Sequence, residues 1–161
     1  MRPYIVVKTD TKTKLQLNIL VAEDNPADRS LLEMALTSNG VDVNLRIVED
    51  GSEAIQYLQG RGPFAHRREH PLPDLILLDL KMQQLSGFDV LLWLRANPHC
   101  GIIPTVVISG SGQEKDIEQA YALGANTYFE QPVSFADFGS LLRLLIQYWA
   151  RSKRPAHDGN C

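Results

Sequence analysis

The chain has 161 residues, 44% of them hydrophobic and 22% charged, with a net charge of −3. That is enough for one domain with a substantial core, and the slightly acidic balance gives no reason to expect nucleic-acid binding. Cys100 and Cys161 lie far apart and predict a reducing compartment rather than a disulfide framework, while the absence of a signal-like N-terminus or a membrane-length apolar run predicts a cytoplasmic protein.

Met1–Lys14 reads as a polar N-terminal arm. Leu15–Val21 (LQLNILV) is a predicted strand that stops at Ala22-Glu23-Asp24-Asn25-Pro26, and Pro26 suits the first turn of a following helix. That helix carries Leu31, Leu32, Ala35 and Leu36 at helical spacing, with Asn39-Gly40 as its stop. Asp42–Val48 alternates polar and apolar residues, as a half-buried strand does. Asp50-Gly51-Ser52 leads into a short helix bearing Ala54, Ile55 and Leu58, and Gly60–Pro73 reads as a long polar loop. Asp74–Leu78 (DLILL) is a continuous apolar strand of the kind covered on both faces in a parallel sheet, and it runs straight into Asp79. Ser86–Asn97 is a helix, Pro104–Ile108 a buried strand, Glu114–Leu123 a helix stopped by Gly124, and Thr127–Phe129 a short strand before Gln131-Pro132. Phe135–Ala150 is the last helix, and Arg151–Cys161 a polar tail. Five strands alternating with five helices predict an α/β doubly wound sheet spanning residues 15–150 as one domain.

In such sheets sites gather at the carboxyl ends of the strands. Glu23 and Asp24 follow the first strand, Asp79 the third, Ser109 the fourth and Gln131 the fifth. A single acid after a strand is an ordinary solvated loop residue, but acids at several matching strand ends converge. Carboxylates so placed repel unless a cation neutralises them, and oxygen donors suit Mg²⁺. A carboxylate beside bound Mg²⁺ can act as nucleophile towards a phosphoryl group, with Ser109 hydrogen-bonding a phosphoryl oxygen and Gly110 leaving room for entry.

The run Ile19-Leu20-Val21-Ala22-Glu23-Asp24-Asn25-Pro26-Ala27-Asp28, the segment Pro73–Met82, the run Leu85-Ser86-Gly87-Phe88-Asp89 and the run Gly124–Phe129 resemble response-regulator receiver domains of two-component systems. The resemblance covers about Leu15 to Ala150. It implies a flavodoxin-like (βα)5 sandwich with strand order 2-1-3-4-5. It further implies Asp79 as phosphoacceptor, and Asp24, Glu23, Asp79 and the backbone carbonyl of Lys81 around Mg²⁺. Ser109 matches the switch hydroxyl and Tyr128 the aromatic that follows it. The implied partner is a sensor histidine kinase, and the implied output is protein–protein contact. The extended Gly60–Pro73 loop and the Tyr148-Trp149 ending resemble the standalone regulators of phytochrome kinases.

Two positions depart from the pattern. Gln131 stands where the family has a lysine that pairs with the acceptor carboxylate. A unit charge pair about 4 Å apart is worth about 4 kcal/mol at an effective dielectric near ~20, before desolvation is deducted. An attenuated or phosphorylation-independent receiver, acting as a constitutive binding module, is therefore a second reading. Gln83 replaces a usual proline and predicts a looser loop.

His66-Arg67-Arg68-Glu69-His70 matches a zinc-protease pattern, but Pro63, Pro71 and Pro73 place it in a loop, where a basic surface is the better reading. Asp79-Leu80-Lys81 invites comparison with aspartate-nucleophile phosphatases, yet Lys81 sits where their general acid belongs. Tyr148, Trp149, Arg151, Lys153 and Arg154 lie beyond the expected core and suit a homodimer contact.

Overall fold

The computed structural model describes residues 16–38, 41–155 and 161. In chain order the elements are β1 (Gln16–Ala22), α1 (Pro26–Thr37), β2 (Asp42–Val48), α2 (Gly51–Gln59), a single 3₁₀ turn (Gly62–Phe64), β3 (Leu75–Leu78), α3 (Gly87–Ala96), α4 (Pro98–Gly101), β4 (Thr105–Ser109), α5 (Glu114–Ala122), β5 (Thr127–Glu130) and α6 (Phe135–Arg151). The strands form one parallel sheet in the order β2-β1-β3-β4-β5, the flavodoxin-like arrangement expected. The expected arm over 1–14, the stop at Asn39-Gly40 and residues 156–160 of the tail lie outside the described residues.

Strand side chains alternate between two faces, and each face is covered by helices. Leu20, Ala22, Ile76, Leu78 and Val107 pack with Leu58 of α2, Leu91 of α3 and Ala120 of α5. Leu17, Ile19, Val21, Leu75, Leu77, Val106 and Ile108 pack instead with Leu32 and Leu36 of α1 and Phe138, Leu142 and Ile146 of α6. β3 is buried along its whole length, which explains why its sequence is apolar without alternation.

The sequence missed α4, a single turn after α3 that makes the helices of the described residues six rather than five. Pro98 ends α3 and at the same time suits the first position of the next turn, so one proline does both. The Gly60–Pro73 segment is the expected loop, with one 3₁₀ turn in it, but it is anchored to the core at two points. Phe64 and Leu72 are buried, and the Phe64 ring stacks edge-on against both Tyr57 and His70, at centroid distances of 5.1 and 5.4 Å. Arg67 donates to the carbonyls of Tyr57 and Leu58 at 2.8 and 2.5 Å, satisfying the free end of α2. His70 Nδ1 lies 2.7 Å from an Arg46 guanidinium nitrogen, so this histidine is engaged with an arginine rather than presented to a metal.

The amino edge of the sheet is tied down by long-range contacts. Asp74 accepts from the backbone and side-chain nitrogens of Asn18 at 2.8 and 3.2 Å, and its other oxygen pairs with Arg154 at 3.5 Å. Arg154, expected at a dimer contact, is therefore an intramolecular partner, and Trp149 likewise packs partly onto the core. Cys100 and Cys161 form a disulfide, which corrects the expectation of unpaired thiols. A separation of 61 residues hides this from sequence, because only the fold brings the end of the chain back to α4, with 5.1 Å between the two Cα atoms.

Closing a loop of that length constrains the unfolded chain by about 4 kcal/mol on a chain-entropy account. Adding a thiol reductant should therefore lower the unfolding temperature of the native chain by several degrees and leave a Cys161→Ser variant unmoved. Equal melting curves for the native chain with and without reductant would show that this bridge contributes nothing.

Candidate functional site

Register delivers the acids to one place. Ala22 pairs with Leu78, so the next residues, Glu23 and Asp79, leave the sheet side by side. The Asp79 amide donates to the Ala22 carbonyl at 3.0 Å, and the Glu23 amide to Val48 at 3.0 Å, which extends both strands by one bond. The next turn also depends on glycines. A Cβ at Gly87 would stand 2.2 Å from the Asp79 carbonyl, and one at Gly51 would stand 2.5 Å from that of Leu85. Only glycine lets α3 and α2 approach the loop after β3 so closely.

Glu23, Asp24 and Asp79 each offer a carboxylate oxygen, all within 4.8 Å of one another. Glu23 is buried, and one of its oxygens accepts from the Asn25 amide at 2.9 Å. Asn25 in turn caps α1, accepting from the amides of Ala27 and Asp28. Burial raises the Glu23 pKa from 4.5 to about 7, and the charges of Asp79, Asp28 and Asp24 push the same way against that one amide. Burial also raises Asp79, opposed by the amides of Lys81 and Leu80 and by the Ser109 hydroxyl. The ion pairs of the described residues, Arg29 with Glu49 and Arg154 with Asp74, involve none of the three carboxylates. A hard divalent cation fits such a donor set, since oxygen ligands in excess of local positive charge are what it requires. No other cluster of His, Cys, Asp and Glu among the described residues could hold a metal, so the zinc pattern of His66–His70 has no structural counterpart.

The other expected residues also reach this edge. Ser109 is fully buried at the end of β4, within reach of Asp79. Tyr128 turns its hydroxyl towards the same loop, donating to the Ser111 carbonyl at 2.6 Å. Gln131 is anchored by its amide to the Ser109 carbonyl at 2.9 Å, but its side-chain nitrogen donates to Asp28 Oδ1 at 3.2 Å. Lys81 is exposed, and its ammonium has no described carboxylate partner here. The Gln83 amide donates to Asp24 Oδ2 at 3.2 Å, a bond that a proline, lacking the N–H, could not make. Gln84 beside it takes a left-handed φ of 60°, a strained conformation for a residue with a side chain. Sequence reasoning also missed Asp28 and Ser111. The position of Asp28 in the first turn of the helix that follows the first acidic strand end could have signalled the first; nothing signalled the second.

The family model of the response regulator receiver domain matches residues 19–143. Response Regulator Rcp1 of Synechocystis sp. is 33% identical over 131 residues, which is 81% of this chain and 87% of that protein. The phosphorylated cyanobacterial phytochrome response regulator RcpA is similar in structure, with a TM-score of 0.81 at 32% identity over 88% of this chain and 99% of that one. The Mn²⁺-bound form of Rcp1 gives a TM-score of 0.79 at 32% identity, over 87% and 99% of the two chains.

The raised Glu23 value sets a pH dependence. Without divalent cations the folded protein holds a proton that the unfolded chain releases above pH 4.5, so this stabilisation is complete below 4.5 and is lost as pH rises through about 7. Thermal unfolding in a chelator should fall between pH 5 and 8 by the equivalent of about 1–3 kcal/mol. Glu23→Gln should make the profile shallower, leaving the part of the same sign that the raised Asp79 contributes; a native profile already flat over that range contradicts the assignment.

Proposed function

The chain belongs to the response-regulator receiver family, and from that premise we propose that it is a standalone regulator of a two-component phosphorelay, accepting a phosphoryl group on Asp79 from a phytochrome-type sensor histidine kinase. The observation that carries this reading is the convergence of Glu23, Asp24 and Asp79 within 4.8 Å beside a buried serine. Two relatives support it: RcpA is phosphorylated in its crystal, and Rcp1 is bound to Mn²⁺.

In this reading Glu23, Asp24, Asp79 and the Lys81 carbonyl would hold Mg²⁺, which would supply positive charge to offset the clustered carboxylates and a Lewis acid for a phosphoryl oxygen. An Asp79 carboxylate oxygen attacks phosphorus, and the phosphorus–nitrogen bond of the phosphohistidine breaks. The imidazole nitrogen leaves with the electron pair, and because the ring's other nitrogen carries a proton in the donor, the kinase histidine ends as a neutral ring. Ser109 donates its hydroxyl to a phosphoryl oxygen and Tyr128 follows it. No second substrate is turned over, so the activity is self-catalysed acceptance rather than enzymatic catalysis. Output is protein–protein contact in the cytoplasm, with neither nucleic acid nor membrane as partner, from one receiver domain over 15–150 between a polar arm and tail.

A second reading, favoured by one observation, is an attenuated receiver that binds its partner constitutively. Gln131 donates to Asp28, carries no charge, and cannot supply the ion pair that a lysine would make with the phosphoryl group.

Incubation with Mg²⁺ and acetyl phosphate should add one phosphoryl mass to the intact protein, with no addition in Asp79→Asn or in a chelator. Gln131→Lys should raise the steady-state labelled fraction severalfold, by part of the roughly 4 kcal/mol of an unscreened pair. A native chain that takes no label while Gln131→Lys does establishes the attenuated reading; label persisting in Asp79→Asn sinks both.

A homodimer is the proposed assembly. Leu144 and Tyr148 lie one turn apart on α6, 67% and 66% exposed, beside Arg151, the residue types that enrich interfaces. Leu144→Glu should convert a dimeric sedimentation profile to a monomeric one without lowering the unfolding temperature. A native chain that is monomeric at tens of micromolar removes the proposal.

A further inference from the structure

Ser111 follows Gly110 in the segment between β4 and α5 and is 4% exposed. Its own polar groups reach three different parts of the molecule. The amide donates to Ser109 Oγ at 3.3 Å, the carbonyl accepts from the Tyr128 hydroxyl at 2.6 Å, and the hydroxyl donates to Asp116 Oδ2 at 2.5 Å. The same hydroxyl oxygen accepts from the Gln113 amide at 3.4 Å. Gln113 is the N-cap of α5 yet makes no side-chain bond to the helix, so Ser111 supplies an acceptor from two residues upstream.

We propose that Ser111 is a positioning residue that couples the Ser109 hydroxyl and the Tyr128 ring to the first turn of α5, through its bond to Asp116. This rests on the reading of Ser109 and Tyr128 as the switch pair. The physical link is the cost of an unpaired buried amide. If Ser109 rotates about χ1, its oxygen leaves the Ser111 N–H, and stranding a buried donor costs about 1–3 kcal/mol. The peptide at 111 therefore moves with it. Gly110 permits that movement: a Cβ there would meet nothing within 4 Å and its φ is not positive, so packing does not demand a glycine. Backbone freedom immediately before Ser111 is what the glycine adds. Because the Ser111 carbonyl and hydroxyl belong to the same residue, displacement of the backbone changes the Tyr128 and Asp116 bonds together. Asp116, half-buried on the first turn, passes the change to the helix.

A chemical-shift cycle on the full chain tests this without any phosphodonor. Ser109→Ala should shift the α5 amides from Lys115 to Ala120 in the native background. In a Ser111→Ala background, which keeps the amide and carbonyl but cuts the path to Asp116, the same substitution should give α5 shifts at most about a fifth as large. Ser111→Thr should restore them. Asp116→Asn, a milder change at the far end, should reduce them likewise and covers the case in which Ser111→Ala does not fold. Equal α5 responses to Ser109→Ala with and without the Ser111 hydroxyl, or with and without the Asp116 carboxylate, overturn the proposal. In a second arm, acetyl phosphate labelling of Ser111→Ala should stay within about twofold of native, because the hydroxyl does not touch Asp79. A native chain that takes no label defeats the phosphorelay reading instead, and the mutational cycle still decides the coupling.

Discussion

Everything at the carboxyl edge of the sheet depends on mutual repulsion among Glu23, Asp24 and Asp79, held within 4.8 Å by strands that cannot separate. Like charges about 4 Å apart repel by about 4 kcal/mol at an effective dielectric near ~20. Hydrophobic burial on both faces of the sheet offsets that cost, since β1 and β3 are locked in register by buried side chains on either side. Burial first, and the neighbouring carboxylates after it, raise the Glu23 pKa to about 7, and a divalent cation would relieve the repulsion that remains among the ionised groups.

Gln131 sharpens this. A lysine at that position would bring a charge into the pocket, whereas the amide only redistributes hydrogen bonds, and it gives one to Asp28. Asp28 itself adds to the negative potential on Glu23. The pocket thus keeps one more net negative charge than a lysine-bearing one, and no ion pair among the described residues offsets it. The Gln83 amide supplies a partial positive charge to Asp24, which a proline could not. Dipoles have replaced some of the missing charge, and they are weaker than an ion pair.

How far the sequence reached depends on the kind of constraint. The strands and the meeting of Glu23, Asp24 and Asp79 were legible because apolar or alternating patterns mark each strand and each acid sits at a fixed offset from a strand end, whereas the strand order came from the family resemblance. The network through Ser111 was not, because it joins two backbone groups that any loop residue possesses to a hydroxyl whose partners are set by the local fold of the loop and the first turn of α5. The anchoring of the Gly60–Pro73 loop was missed for a related reason. Its polar composition hides the buried Phe64 and Leu72, and Phe64 meets its partners, Tyr57 of α2 and His70 of the loop itself, only in the fold. The Cys100–Cys161 bridge escaped because spacing along the chain says nothing about a closure made by the whole fold.

The two edges of the sheet are built on opposite principles. At the amino edge Asp74 is paired with Asn18 and Arg154, and the disulfide fastens the chain end to α4. At the carboxyl edge charges are uncompensated, Gln84 carries a left-handed φ, and Gly110 is free of crowding. Parts of a protein with satisfied polar groups and covalent closure open last, and those with strain and unpaired charge open first. β1 and β3 are buried between both core layers, whereas the hydrogen bonds that lead away from the Asp79 edge run through the Ser109–Ser111 segment to Asp116 of α5 and Tyr128 of β5.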